Sequence, residues 1–319
     1  MTDLAGLQRI DHGFLVDDGA ARGVDEDDAG LHRLDAGARD QAARLVVQQQ
    51  VDRDDVALGQ QFVEIAIVDH TAVPTAIAAQ CKSLKHVVFL GTGARSYMNP
   101  EELAETGIHV HLIKGYGDTA VAECAIALMW EGARGLAKMD RGIRAGNWLR
   151  DDGMQLTGKT LGLIGFGGIA AEVARIAIGS GMRVIAWNRS PKKYPKVDFV
   201  DLDELLTESD VISIHLLLND ETRGLISRAC IEAMKPGVIL VNTARGAIVD
   251  EEAMIDALKS GQIRHAGLDV FNIEPLPADH PLTKLDNVTL SAHSAFRTPE
   301  ASENLMRAAW EHCRRIVKK

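Results

Sequence analysis

Short apolar runs alternate, over most of this chain, with longer stretches in which apolar residues recur every three or four positions. The first pattern is typical of buried strands, and the second is typical of helices that bury one face. The alternation is regular from residue 62 onward. Strands that alternate with helices predict right-handed crossovers and parallel sheets that are covered by helices. The expected fold class is therefore α/β, with doubly wound parallel sheets.

The individual elements follow from these two periods. Strands are predicted over residues 62–70, 86–94, 107–115, 160–164, 182–188, 211–217, 237–244, 264–271 and 287–292. Helices are predicted within residues 71–83 and over residues 99–105, 120–146, 167–179, 201–209, 227–235, 250–261 and 299–318. We expect the last helix to return and cover the first layer of strands.

Residues 1–61 differ in composition from the rest of the chain. They contain twelve Asp and one Glu, and no Lys, Ser, Asn, Pro, Tyr or Trp. Only residues 41–58 offer a helical pattern there. Two interpretations are open. The segment is an acidic, weakly folded extension, or it reflects a wrong reading frame or gene start, since these residue types are favoured by GC-rich codons.

The sequence TLGLIGFGGIA at residues 160–170 places a buried strand directly before a glycine-rich turn and a helix. Gly165, Gly167 and Ala170 have the GxGxxA spacing of a dinucleotide-binding fingerprint. Gly165 permits the sharp turn, Gly167 lets the backbone approach a diphosphate, and Ala170 allows the helix to pack closely on the strand. A glycine-rich turn without a ligand is the alternative, but the flanking strands favour a diphosphate at the helix N-terminus.

With 319 residues, the chain is long enough for two domains of ordinary size. We expect a dinucleotide-binding domain over residues 119–294. A discontinuous substrate domain is expected over residues 62–118 and 295–319, after the atypical segment of residues 1–61.

The net charge of −10 argues against nucleic acid or an anionic membrane as the partner. No apolar run approaches the roughly 18 residues of a membrane span, and the first residues do not resemble a signal peptide. The four cysteines are scattered without a CxxC spacing, so neither a metal site nor a disulfide framework is expected. These features predict a cytoplasmic protein.

Three predicted strands end on side chains that can carry chemistry. Arg245 ends one strand, Glu274 follows the next after a short loop, and His293 follows the last. Ligands of an open parallel sheet bind outside the carboxyl ends of its strands. Each residue alone has an ordinary alternative as a surface ion pair, a loop charge or a satisfied polar group. Beside a dinucleotide, however, the three together fit hydride transfer to a 2-oxo acid.

In that reaction, negative charge develops on the carbonyl oxygen of the substrate. A protonated His293 can donate a proton to this oxygen, and Glu274 can orient the imidazole. Arg245 can bind the substrate carboxylate with its fork of N–H donors. The turn of Gly91, Thr92 and Gly93 could offer backbone N–H groups to the same carboxylate, although an ordinary connection between elements explains it equally well.

Four segments resemble signature sequences of the D-2-hydroxyacid dehydrogenase family in their order and spacing: GLIGFGGIA, VNTARGAIVDEEAM, GLDVFNIEPLP and SAHSAFRTPEA. The resemblance extends from about Phe62 to the C-terminus. It implies a Rossmann-like nucleotide domain, a flavodoxin-like substrate domain and usually a homodimer. It also implies that Arg245, Glu274 and His293 are catalytic, that Asp269 lies near the nicotinamide, and that the substrate is a small 2-oxo acid such as glyoxylate or hydroxypyruvate.

The sequence departs from the family pattern where the second strand of the nucleotide domain ends. NAD enzymes carry an acidic residue there, which binds the ribose 2′-hydroxyl. This chain has Asn188, followed by Arg189 and Ser190. A missing carboxylate and an added arginine favour a 2′-phosphate, so we predict NADP(H) as the preferred cofactor and NAD(H) as the alternative. A merely polar turn is the other interpretation of these residues.

The predicted cofactor contacts lie at the fingerprint, at the ends of the following strands and at the catalytic residues. They are Gly165, Gly167, Gly168, Ile169, Asn188, Arg189, Ser190, Leu216, Thr243, Ala244, Arg245, Asp269 and His293.

Two other functions remain open at this point. A chain of this fold could bind the dinucleotide as a regulatory module, as transcriptional corepressors that resemble the family do. It could also be an inactive product, because residues 1–61 do not resemble the opening strand and helix of the family.

Overall fold

The structure, a computed structural model, describes residues 63–69 and 71–318, together with the backbone of residues 7–10, 14–17 and 45–48. The chain divides into two compact units, Met1–Tyr116 with Ser302–Lys319, and Gly117–Ala301. Within the described ranges, the strands are β1 (Leu7–Ile10), β2 (Phe14–Asp17), β3 (Leu45–Gln48), β4 (Ile65–Val68), β5 (His86–Phe89), β6 (His109–Leu112), β7 (Thr160–Ile164), β8 (Arg183–Trp187), β9 (Val197–Phe199), β10 (Val211–Ile214), β11 (Val238–Asn242), β12 (Ile263–Leu268) and β13 (Val288–Leu290). The α-helices are α1 (Thr75–Ala78), α2 (Pro100–Glu105), α3 (Asp118–Arg134), α4 (Leu136–Arg144), α5 (Gly168–Gly179), α6 (Leu202–Glu208), α7 (Arg228–Ala233), α8 (Glu251–Ser260) and α9 (Pro299–Val317).

The larger unit is built on a parallel sheet in the order β13-β12-β11-β10-β7-β8-β9. Its central strands are apolar and almost completely buried, as strands covered on both faces by helices must be. Chain order reverses beside β7, because β8 lies on one side of it and β10 on the other. This point is where a doubly wound sheet opens a crevice for a ligand. The predicted α/β fold class is confirmed.

The helices of this unit begin where short polar side chains satisfy the first free N–H groups. Asp201 caps α6, Ser227 caps α7 and Asp250 caps α8, each by accepting a hydrogen bond from the first turn of its helix. Such a cap specifies the point at which the chain leaves a strand and starts a helix. It therefore also specifies the lengths of the loops that carry the site residues.

The smaller unit contains a parallel sheet in the order β3-β4-β5-β6. Alternate residues of β4, β5 and β6 point to opposite faces. Ile65 and Val88 share one face with Leu305, Ala309 and Cys313 of α9. The prediction that the last helix covers this layer is therefore confirmed. The opposite face packs against residues of α1 and α2.

A group of histidines lies on the α9 face of this small sheet. His86 Nδ1 is 3.1 Å from His111 Nε2, and the ring of His312 on α9 packs against His111. Burial, followed by the charges of His312, His86 and His109, lowers the pKa of His111 to about 4. The ring is therefore neutral at neutral pH and packs as part of the layer. In the part of the chain that is described, no group of His, Cys, Asp or Glu is arranged to hold a metal ion.

Two predictions about secondary structure were wrong, and one strand was missed. Residues 45–48 form strand β3 in parallel with β4, so residues 41–58 are not one helix; the rest of that range lies outside the described residues. The long helix predicted over residues 120–146 breaks into α3 and α4, because Gly135 has a left-handed backbone with φ of 61°. Strand β9, which was not predicted, is a three-residue edge strand that pairs with β8.

Candidate active site

The turn between β7 and α5, residues 165–168, forms the fingerprint turn. Gly165 has φ of 89°, and a Cβ atom there would lie 2.6 Å from the carbonyl oxygen of His215 and 2.7 Å from Leu216 Cδ2. The turn therefore needs glycine both for its backbone conformation and for its contact with the end of β10. Leu216 packs directly against this turn, at the point where the sheet changes direction.

The first turn of α5 has features that suit an anion. Gly167 and Gly168 are exposed, while the following Ile169 is half-buried. No side chain caps the helix, and its first turn contains no acidic residue. The N–H groups and the positive end of the helix dipole suit a diphosphate. The carboxylate of Asp118 also lies beside this turn, because a Cβ atom at Gly168 would be 1.8 Å from Asp118 Oδ2.

The end of β11 adds a second feature that suits a cofactor. The hydroxyl of Thr243 is buried and has no hydrogen-bond partner among the described residues. A buried polar group without a partner is costly, so a ligand group that bonds to it would recover that cost. Together with the uncapped helix end of α5, Thr243 fits a bound dinucleotide.

Asn188 lies at the end of β8, as predicted, but both ends of its amide already bond to the backbone. Its Oδ1 accepts from the N–H of Phe166 at 3.1 Å, and its Nδ2 donates to the carbonyl of Ser190 at 2.7 Å. Asn188 therefore joins the fingerprint turn to the turn after β8. Arg189 and Ser190 are exposed, and the Arg189 guanidinium pairs with the carboxylate of Glu221.

Arg245 follows β11 in a turn that Asn242 holds. Asn242 Oδ1 accepts from the N–H of Ala244, and Asn242 Nδ2 donates to the carbonyl of Arg245, both at 2.9 Å. Arg245 Nη1 also donates to the carbonyl of Ala244 at 2.6 Å. Arg245 is half-buried, and these local hydrogen bonds hold the backbone that carries its side chain.

Glu274 and His293 form a direct pair. Glu274 Oε2 lies 2.7 Å from His293 Nδ1, and Glu274 Oε1 accepts from the N–H of Phe271 at 2.8 Å. Burial raises the pKa of Glu274, but the bonds from His293 and Phe271 and the charge of Arg245 lower it by more, so the net pKa is below its ordinary value. The carboxylate is therefore ionised at neutral pH and holds the imidazole through its Nδ1.

Asp269 holds the loop that carries His293. Its fully buried carboxylate accepts from Ser291 Oγ at 2.5 Å and from the N–H groups of Ser294 and Ala295 at 3.0 and 2.9 Å. Its own carbonyl accepts from the N–H of His293 at 2.8 Å, and His293 has φ of 48°. Asp269 was predicted as a cofactor contact, and here its side chain shapes the His293 loop.

The predicted site residues fall into two sets. The fingerprint turn and the residues at the ends of β8, β10, β11, β12 and β13 all belong to the unit Gly117–Ala301. The turn of Gly91, Thr92 and Gly93 follows β5 in the other unit, where Gly91 has φ of 153°. Its assignment as a substrate contact stays a prediction.

Two residues that matter to this site were missed by sequence reasoning. Asn242 holds the Arg245 turn, and an Asn at a strand end directly before a turn is the usual signal for such a role. Lys192 donates from Nζ to the carbonyl of Phe166 at 2.6 Å and so places a cation at the fingerprint turn. The sequence signal for Lys192 was its position, since it is a cationic residue only two positions after the predicted cofactor contact Ser190.

The family described as D-isomer specific 2-hydroxyacid dehydrogenase, NAD binding domain, matches residues 126–295. This match spans more than half of the chain, and the chain belongs to this family. None of the described helices is long and apolar enough to cross a membrane.

Similar proteins share the family. A hydroxypyruvate reductase of Thermotoga maritima is 39% identical over 267 residues, which is 82% of this chain and 87% of that protein. Among solved structures, a glyoxylate reductase from Paecilomyes thermophila has a TM-score of 0.77 and 32% identity, and the match covers 83% of this chain and 84% of the other. The acyclic imino acid reductase Bsp5, in complex with NADPH and D-Arg, has a TM-score of 0.79 and 30% identity, with 86% and 89% covered.

The family and the site define the class of reaction. The chain is an oxidoreductase that transfers a hydride between a nicotinamide cofactor and a small 2-oxo or 2-hydroxy acid. The prediction of a nicotinamide-dependent dehydrogenase is therefore confirmed.

Proposed function

We propose that Arg245, Glu274 and His293 are the catalytic residues and that the preferred cofactor is NADP(H). The observation that carries the first part is the 2.7 Å contact between Glu274 and His293, with the charge of Arg245 acting on the same carboxylate. An acid–base group, the residue that orients it and a guanidinium thus meet at the carboxyl ends of three neighbouring strands, β11, β12 and β13.

Each residue has a role that follows from its chemistry. His293, protonated and held by Glu274, donates a proton to the carbonyl oxygen as negative charge develops there. Arg245 binds the substrate carboxylate and stabilises the same oxygen with N–H donors that are always charged. The hydride itself comes from the nicotinamide when the cofactor is bound. In the reverse direction, neutral His293 accepts the proton of the hydroxy acid.

The turn after β8 supports the choice of NADP(H). Arg189 and Ser190 are exposed there, and the Asn188 amide is engaged by the backbone. No carboxylate stands at residues 188–190 to bind a ribose 2′-hydroxyl. The guanidinium of Arg189 and the nearby ammonium of Lys192 suit a 2′-phosphate. Among the similar structures, Bsp5 is in complex with NADPH.

Steady-state kinetics with both cofactors tests this proposal. We expect kcat/KM for NADPH to exceed that for NADH, with glyoxylate and hydroxypyruvate as the first substrates to try, since similar proteins carry these names. A ratio below one would contradict the cofactor assignment. Tight NADPH binding without turnover of any 2-oxo acid would contradict the catalytic assignment and favour a regulatory module, and neither binding nor turnover would favour an inactive product.

The pH profile tests the role of Glu274. Reduction slows as pH rises, because neutral His293 has no proton to donate. Since the pKa of Glu274 is held below its ordinary value, we also expect an acidic limb of kcat/KM, where Glu274 gains a proton and releases His293. In Glu274→Gln no carboxylate remains to gain that proton, so we expect the acidic limb to be absent. The matched control is Glu251→Gln, since Glu251 pairs with His280 at 3.3 Å and should leave the acidic limb in place. An acidic limb that persists in Glu274→Gln would refute the role.

We also propose that the chain forms a homodimer. Four apolar side chains on α4 and the segment after it are exposed: Leu136, Ile143, Trp148 and Leu149. Trp148 is the most exposed of them, with 77% of its surface accessible. Exposed apolar patches of this kind mark interaction surfaces. Sedimentation of the purified chain at twice the protomer mass would support the dimer, and sedimentation at the protomer mass at all concentrations would refute it.

A cytoplasmic location is proposed from the thiols. All four cysteines, Cys81, Cys124, Cys230 and Cys313, are free. Free thiols without disulfides are typical of proteins kept in a reducing compartment. Fractionation of cells that express the protein tests this, and recovery from an oxidising compartment would contradict it.

A further inference from the structure

The exposed arginine at the proposed 2′-phosphate site already has an anionic partner in this chain. Arg189 Nη1 bonds to the carboxylate of Glu221, a residue that lies 32 positions further along the chain. Both side chains are exposed, with 74% and 68% of their surfaces accessible. The ion pair therefore links the turn after β8 to the loop after β10, and these are the two edges of the place where the adenosine ribose is expected.

The loop that carries Glu221 is held by its own hydrogen bonds. Thr222 Oγ1 donates to the carbonyl of Leu217 at 2.6 Å, and the N–H of Thr222 donates to Asn219 Oδ1 at 2.9 Å. The N–H of Asn219 in turn donates to Thr222 Oγ1 at 2.9 Å. These bonds fix the backbone of the loop from which Glu221 reaches Arg189.

A 2′-phosphate and the Glu221 carboxylate cannot both use the same N–H donors of Arg189. The phosphate carries nearly two negative charges at neutral pH, so a nearby carboxylate also repels it. A cofactor with a 2′-hydroxyl has no such charge and can bind while the ion pair stays intact. Glu221 thus weakens the binding of NADP(H), which carries the 2′-phosphate, and has little effect on the binding of NAD(H).

From this geometry, and resting on the NADP(H) assignment proposed above, we propose that Glu221 is a specificity-determining residue. Its carboxylate occupies Arg189 in the free protein and competes with the 2′-phosphate for it. Glu221 therefore reduces the difference in affinity between NADP(H) and NAD(H). As a result, NAD(H) can still bind at the same site.

Binding of cofactor fragments tests this without depending on turnover. Calorimetry would measure Kd for adenosine 2′,5′-bisphosphate and for AMP, which differ only in the 2′-phosphate, with the wild-type chain and with Glu221→Gln. We expect the bisphosphate to bind about two to five times more tightly to Glu221→Gln, given the size of exposed charge interactions, and AMP to change by less than about 1.5-fold. The gain should shrink at high salt, because exposed charges are screened.

The matched control is Asp220→Asn, which removes the same charge from the neighbouring exposed position of the same loop. An equal gain in Asp220→Asn would overturn the proposal, because it would show an effect of net charge alone. Weaker bisphosphate binding by Glu221→Gln would also overturn it, because Glu221 would then hold Arg189 in its binding position. In an Arg189→Leu background most of the gain should disappear, and a full gain there would contradict competition for Arg189.

The two proposals can fail separately. The ratio of the two Kd values in the wild-type chain tests the NADP(H) assignment, whereas the change of that ratio in Glu221→Gln tests the role of Glu221. A wild-type ratio near one with a large change in the variant would support Glu221 as the cause. A high wild-type ratio that stays unchanged in the variant would overturn the inference and leave the cofactor assignment intact.

Discussion

Replacing His293 with Asn is expected to lower kcat for 2-oxo acid reduction by about 10²–10⁴-fold, which is the range for loss of a general acid. Asn is the suitable replacement because residue 293 has φ of 48°, and Asn tolerates this left-handed conformation better than most residues. The His293 loop should therefore keep its shape, since the carboxylate of Asp269 bonds to other residues of that loop. Stopped-flow measurement of NADPH oxidation gives the chemical step directly.

The control for this variant is His280→Asn. His280 also pairs with a carboxylate, that of Glu251, but it lies at the start of a short 3₁₀ turn, Pro281–Lys284, where it accepts a bond from the N–H of Leu282. We expect its replacement to leave kcat within about threefold, because the contacts of His280 with Glu251 and Leu282 do not involve Glu274 or His293. If His293→Asn kept more than a tenth of the wild-type kcat, His293 would not be the proton donor.

Replacing Arg245 with Lys should produce the second largest loss. Lysine keeps the positive charge but lacks the planar fork that binds a carboxylate through two parallel bonds. We expect kcat/KM for 2-oxo acids to fall by about 10²–10³-fold, as is typical when a donor to the developing oxyanion is removed. We expect kcat to fall and KM to rise, since Arg245 is assigned both to stabilisation of the carbonyl oxygen and to substrate binding.

Arg228→Lys provides the matched control for charge and size. Arg228 forms an exposed pair with Asp256 on the surface of α7, and its loss should not change kcat/KM by more than about twofold. Binding of NADPH, followed by its fluorescence, should persist in Arg245→Lys. A variant with normal KM and normal kcat would remove Arg245 from the catalytic set.

Much of the nucleotide unit was predictable because its signals are local. The apolar run at residues 160–164, the glycines after it and the helical pattern that follows each reflect constraints within a few residues. The same is true of the helix that ends at Gly261, where φ is 83°. Arg245, Glu274 and His293 were selected as candidates because each follows a predicted strand, and the carboxyl ends of parallel strands lie at one edge of the sheet.

The errors came from places where local pattern and three-dimensional contact disagree. The apolar period of residues 120–146 continues past Gly135, but the left-handed backbone of that glycine ends α3 and starts α4. Strand β9 has only three residues and depends on pairing with β8, so its sequence carried no period of its own. Residues 45–48 pair with β4, although their surroundings suggested a helix.

The sequence by itself determined the fold class, the fingerprint turn and the candidate catalytic residues at strand ends, because periodicity, turn glycines and residue type act over short distances. Only the tertiary structure decided which of these residues are partners. The residues around Glu274 in the sequence do not indicate that it bonds to His293, nineteen positions later. In the same way, the residues around Arg189 do not indicate that it bonds to Glu221. Such contacts depend on the order of strands in the sheet and on loops held by Asp269 and Asn242, and these are properties of the folded chain as a whole.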